Sequence, residues 1–220
     1  MRSFISSLLC ASLYFLVLQG KISDASKKVR NGTCNFPDQP VVTIGYLLYN
    51  FGFTTEGKPD ADFEEWLEII RKRAKSRLQY HFISIKLENT NVTQLHKNMS
   101  SKLSDWTSGD PTINPYDVLA HIRKDLMGKD NPDIVCLVTK VPLTGYTYGF
   151  GSYEPLCGNA VPMFLTYNKT NVNDTGDHFG QLIVNSMNIF NFHTWWKLPE
   201  EKKNQYFYNC TVQRFKREWF

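Results

Sequence analysis

Apolar residues recur along this chain with two different periods. Val41 to Tyr49 (VVTIGYLLY) is a run of β-branched and aromatic residues, the composition of a buried strand. After a glycine-containing turn, FGFTTEGKPD, the spacing becomes helical through Phe63, Trp66, Leu67, Ile70, Ala74 and Leu78. Asp62 is the expected cap of that helix, with Glu65 completing a capping box. Phe82 to Leu87 (FISIKL) then alternates, with Ile83, Ile85 and Leu87 on one face of a half-buried strand. Glu88 to Asp110 is polar and reads as loop with a short irregular strand. Asn114-Pro115-Tyr116-Asp117 opens a second helix, in which Val118, Leu119, Ile122 and Leu126 face inward.

Asp133 to Thr139 (DIVCLVT) is continuously apolar, a strand covered on both faces. GYTYGFG reads as a tight loop and VPMFLTY, from Val161, as an edge strand. Asp177 to His193 (DHFGQLIVNSMNIFNFH) reads as one amphipathic helix with a stripe of Phe179, Leu182, Ile183, Met187 and Phe190. The charged tail ends in a short helix. Alternating strands and helices predict an α/β fold with a mixed, mostly parallel sheet and flanking helices. Trp66, Trp106, Trp195, Trp196 and Trp219 are expected to pack within it.

The N-terminus adds a compartment. Arg2, the uncharged run Phe4 to Leu18, and Ser23 and Ala25 at the −3 and −1 positions give residues 1–25 the form of a cleaved signal peptide. That run is shorter than the roughly 20 residues that span a bilayer. No later segment is long and apolar enough, so a secreted, extracellular protein without a membrane span is expected. Residues 26–40 form an N-terminal segment, and residues 41–220 suit a single domain.

Charge changes the picture little. The net charge is +4, and removal of Arg2, Lys21 and Asp24 with the signal peptide leaves +3. The basic run RKRAKSR (Arg71 to Arg77) fits the solvated side of a helix, and no nucleic-acid partner is expected. Six sequons, at Asn31, Asn91, Asn98, Asn168, Asn173 and Asn209, predict a glycosylated surface. With Cys10 removed, Cys34, Cys136, Cys157 and Cys210 predict two disulfides, for which three pairings are open.

The candidate chemistry is mostly negative. Zinc on a helix needs histidines at i and i+4 with a glutamate between them. His178 and His193 are fifteen residues apart, about 22 Å along a helix. His81, His96 and His121 fall in separate elements. No GxSxG elbow, P-loop, dinucleotide fingerprint or CxxC is present, so no catalytic residue, metal or cofactor is expected.

The order of parts nevertheless resembles the catalytic domain of the reprolysin (adamalysin-like) metalloproteases, within the metzincins. VVTIGYLLY is similar to the first strand, DFEEWLEIIRKRAKSRL to the long helix after it, and FISIKLEN to the second strand. PYDVLAHIRKDLMGKDNPDIVCLVTK resembles the helix leading into a strand that ends in Val-Thr. LTGYTYGFGSYEPLCG resembles the glycine-rich loop ending in a cysteine, and FYNCTVQRF the closing segment. The resemblance implies a metzincin-like upper subdomain with a truncated lower one. It also implies a Cys157–Cys210 disulfide, which leaves Cys34 with Cys136.

The family's HExxHxxGxxH does not carry over. Asn185 stands at the first histidine, Ser186 at the glutamate, Ile189 at the second histidine and Phe192 at the glycine. A shifted register that makes His193 the third histidine places Ile183 and Met187 at the other two. Between His193 and Cys210 the chain is too short for the methionine turn.

The pattern of a secreted, glycosylated, shortened chain is also similar to families abundant in tick saliva, including salivary immunosuppressant proteins. The expectation is an inactive metalloprotease-like glycoprotein that binds a host protein or glycan, modulating immunity or haemostasis. The alternatives are an active hydrolase with an unrecognised site and a lipocalin-like small-ligand carrier, which needs about eight antiparallel strands.

Overall fold

A computed structural model describes residues 39–53, 59–108 and 113–210. The expected signal peptide (residues 1–25), Asn31, Cys34 and the tail with Trp219 lie outside the described residues, as does the side chain of Trp106. The elements run β1 (Val41–Tyr49), α1 (Ala61–Tyr80), β2 (Lys86–Gln94), α2 (Lys97–Ser108), α3 (Pro115–Leu126) and β3 (Ile134–Thr139). They continue with β4 (Gly149–Gly151), β5 (Val161–Thr166), α4 (Val172–Asn185), α5 (Phe192–Trp196) and α6 (Glu200–Gln205).

The five strands form one sheet in the order β2-β1-β3-β5-β4, in which β4 alone runs antiparallel. This is the mixed, mostly parallel sheet with flanking helices that the alternation predicts. It is not the antiparallel barrel of a lipocalin. Side chains alternate across the sheet. Ile44, Tyr46, Leu48, Cys136, Val138, Met163 and Leu165 meet α1 and α4 on one face. Val135, Leu137 and Phe164 meet α2 and α3 on the other. Both faces are covered, which is why β3 and β5 are buried at every position.

Helix α1 is capped by Asp60, two residues before the expected Asp62. Its carboxylate accepts from the Phe63 amide at 2.8 Å, and Asp62 instead forms an ion pair with Lys169. The basic run on α1 is also less solvated than its charge implies. Arg73 pairs with Asp177 of α4, and the Arg77 guanidinium donates to the Gln181 side chain at 2.8 Å. Helix α4 lies close against α1 because Gly176 and Gly180 face it. A Cβ at Gly180 would stand 2.9 Å from the Ala74 Cα, and one at Gly176 would stand 3.0 Å from the Ile70 Cα.

Several expected boundaries move. Ile83 and Ile85 are buried, but the ladder starts at Lys86 and runs through the polar stretch to Gln94. That stretch is polar because β2 is an edge strand with one flank in water. Helix α2 forms where loop was expected, and among its described side chains it buries Met99 and Leu103, along with Leu95 just before it. VPMFLT is not the edge: β5 pairs with β3 and β4, and Gly149-Phe150-Gly151 of the supposed tight loop is the edge strand. Glycine is needed there, since Gly149 has φ +145 and a Cβ would meet the Phe164 carbonyl oxygen at 2.3 Å.

The cysteines divide unequally. Cys157 and Cys210 form a disulfide. Cys136 carries a free thiol, and Cys34, the partner expected for it, lies outside the described residues. It sits in mid-strand on β3, in register with Tyr46 and Met163 and with none of its surface exposed. A bridging partner would have to bring its Cα within about 7 Å inside that packed layer.

Candidate functional site

The expected helix from Asp177 to His193 is two helices with a break between them. Helix α4 starts earlier, at Val172, and ends at Asn185. Ser186 is its C-cap and is wholly buried. The Ser186 hydroxyl donates to the Ile183 carbonyl at 2.7 Å, and its own carbonyl accepts from the Leu156 amide at 2.8 Å. Asn188 then turns the chain through the left-handed region, at φ 53. Phe179, Leu182, Ile183 and Met187 keep the buried stripe, whereas Phe190 is 96% exposed. That residue lies past the break and so leaves the stripe.

This break decides what Asn185, Ser186 and Ile189 can do. Two metal ligands at i and i+4 share an ion only if the helix continues between them. Here it stops after the first. The Asn185 side chain accepts from Gln181 at 2.9 Å, Ser186 closes the helix end, and Ile189 packs half-buried against the core. None of the three offers an imidazole or carboxylate. Among the described residues, no group of three or more His, Cys, Asp or Glu could hold a metal.

The histidines serve other ends. His178 Nε2 donates to the Gly149 carbonyl at 3.0 Å, tying α4 to the edge strand. His193 is exposed on α5, and His96 and His121 stand on or beside other helices. His81 follows α1, with its ring 4.7 Å from that of Phe192, and its carbonyl accepts from the Trp195 indole at 3.0 Å. Among the described residues, no hydrogen bond of normal geometry reaches either ring nitrogen of His81. Burial lowers its pKa, the Arg77 guanidinium lowers it further, and the nearby Gln181 amide only partly offsets them. Burial also holds the Cys136 thiol protonated, so it is not a nucleophile in its native surroundings. The Tyr46 phenol is raised likewise, by burial first and by Cys136 second.

Of the sequon asparagines, Asn91, Asn98, Asn173 and Asn209 are exposed. Asn168 is half-buried, its side-chain oxygen accepting from the Thr170 and Asn171 amides. Pattern reading did not single out the exposed aromatic group where α1 ends and α5 begins. Phe82 is 60% exposed, and its ring stands 6.2 Å from that of Trp196, which is 46% exposed. Trp66 and Trp195 pack internally as expected, but Trp196 does not. One sequence signal was available: Phe82 occupies the position just past a helix end where glycine is usual.

No family model and no curated protein matches this chain. Among solved structures it is similar to metalloproteinase-II from Bacteroides fragilis, at 13% identity and a TM-score of 0.37. The likeness covers 67% of this chain and 42% of that one, so the chain spans less than half of that structure. A likeness this slight carries no inference about activity.

Proposed function

We propose that this chain is a secreted glycoprotein with a metalloprotease-like fold that has lost its zinc chemistry and binds a host protein or glycan, modulating immunity or haemostasis. The observation that carries the reading is the end of α4 at Asn185, with Ser186 buried as its cap and Asn188 turned to φ 53. Where the reprolysin-like order of segments would place a metal-bearing helix, the chain has a helix stop and apolar packing. The Cys157–Cys210 disulfide and the exposed sequon asparagines fit an extracellular glycoprotein.

The test uses protein secreted from eukaryotic cells. N-terminal sequencing is expected to find Ser26 first. Elemental analysis after incubation with zinc is expected to find no bound metal, and a broad peptide library is expected to remain uncut. Stoichiometric zinc, or cleavage abolished by a chelator, would overturn the reading.

A further inference from the structure

Lys203 is only 8% exposed, yet no carboxylate pairs with it among the described residues. Its ammonium instead lies between two rings, 5.9 Å from the centroid of Phe82 and 5.8 Å from that of Trp195. Ring faces attract an ammonium without neutralising it, so the charge remains available to an anion. Lys203 lines a recess of about 170 Å³, together with Gln39, Lys75, Gln79, Phe82, Ser84 and Glu200. Two lysines against one glutamate leave it cationic. Glu200 is exposed and forms no ion pair with Lys203.

Phe82 at the rim is held in an unfavourable conformation. The Phe82 amide donates to the Gln79 carbonyl at 2.9 Å and the Ile83 amide to the Leu78 carbonyl at 3.0 Å, which is the Schellman ending of a helix. Phe82 therefore occupies the left-handed position, at φ 56, where glycine is favoured. A bulky residue there is an outlier, and such outliers concentrate at functional sites. The strain holds an aromatic ring outward, over Lys203 and beside Trp196.

We propose that this recess binds an acidic sugar, a pyranose bearing a carboxylate or sulfate, at an outer residue of a glycan. The anion meets Lys203 and Lys75, the apolar ring face rests on Phe82 and Trp196, and the hydroxyls meet the Gln39, Gln79 and Ser84 side chains. The recess is smaller than the roughly 300–1,000 Å³ that encloses a whole drug-sized ligand, so it admits one ring. Side-chain amides and a hydroxyl beside exposed rings match a sugar better than an acidic peptide. The proposal rests on the glycan branch of the function given above.

Intrinsic tryptophan fluorescence and calorimetry on the secreted, glycosylated protein would test it. The probes are a hyaluronan tetrasaccharide for the carboxylate, a heparin tetrasaccharide for the sulfate, neutral chitotetraose, tetraglutamate and inorganic sulfate. At least one acidic saccharide is expected to bind saturably, ten-fold or more tighter than chitotetraose, and the preferred one names the anion. Lys203→Met keeps the stem and removes the charge, so it should lose ten-fold or more in affinity without lowering Tm. Phe82→Gly should weaken binding while raising Tm. Unchanged affinity in Lys203→Met would overturn the proposal, as would tetraglutamate or inorganic sulfate binding as tightly as the saccharides. A host partner captured equally by wild type and Lys203→Met would leave the general binding function standing and remove this recess from it. Bound zinc or proteolysis would remove the general reading instead.

Discussion

Thr43 and Asp133 are joined in both directions across the start of the sheet. The Thr43 amide and hydroxyl donate to one carboxylate oxygen of Asp133 at 2.8 and 2.7 Å, and the Asp133 amide donates back to the Thr43 hydroxyl at 3.0 Å. Ninety residues separate them, and both are buried. The pair sets β1 against β3 just before Ile44 and Ile134 come into register.

Replacing Asp133 with alanine leaves the Thr43 amide and hydroxyl buried without that acceptor. A loss of about 3 kcal/mol is expected, at about 1–3 kcal/mol for each unsatisfied group. Urea denaturation should show a lower midpoint with an unchanged slope. A loss below about 0.5 kcal/mol would show that the pair does not secure the register.

The α1–α4 contact is set by glycine. Alanine at Gly180 gains up to about 1 kcal/mol in helix propensity. Its Cβ, however, meets the Ala74 carbonyl oxygen at 3.0 Å and the Arg77 Cβ at 2.6 Å, so the helices must separate. A net destabilisation of about 1–3 kcal/mol is expected. Gly145→Ala, with nothing within 4 Å of the new Cβ, is the control and should change stability by less than about 0.5 kcal/mol.

Cys157 and Cys210 are 53 residues apart and buried. A double substitution to serine should cost about 2–4 kcal/mol through the freer unfolded chain. Thermal melts of the variant and of wild type under reducing conditions should agree. Peptide mapping of the intact protein should recover Cys157 linked to Cys210 and Cys136 unlinked.

His81 makes stability depend on pH. Its pKa is lower in the folded chain than in the unfolded one, so unfolding takes up a proton below about pH 6.5. The His81 contribution is therefore fully present above that pH and lost as the pH falls towards the folded value. Melts between pH 7 and 5 should fall more steeply for wild type than for His81→Gln. Equal slopes would show that His81 is not the sensor.

Legibility of the fold in the sequence followed the strength of each local signal. β3 was readable because six consecutive positions are buried, and α3 because Asn114 caps it and Pro115 opens it. β2 was misplaced because an edge strand with one wet flank carries polar residues and imitates a loop. Glycine-rich β4 was taken for a turn because its need for glycine comes from the Phe164 carbonyl, a neighbour distant in sequence. The break after Asn185 was hidden by Met187 and Phe190, which sustain helical spacing past the point where Ser186 ends the helix. The recess at Lys203 could not be read at all. It joins residues from three separate parts of the chain.

The free Cys136 thiol also bears on how this chain matures. It is shielded only after β3 has closed between β1 and β5. Under oxidising conditions, every accessible thiol of the chain competes until that closure. Folding the sheet before oxidation protects Cys136 and leaves Cys157 to find Cys210. Oxidation ahead of the sheet traps Cys136 in a bridge that the core cannot accommodate. The yield of correctly bridged protein is thus governed by the relative speed of strand closure and thiol exchange.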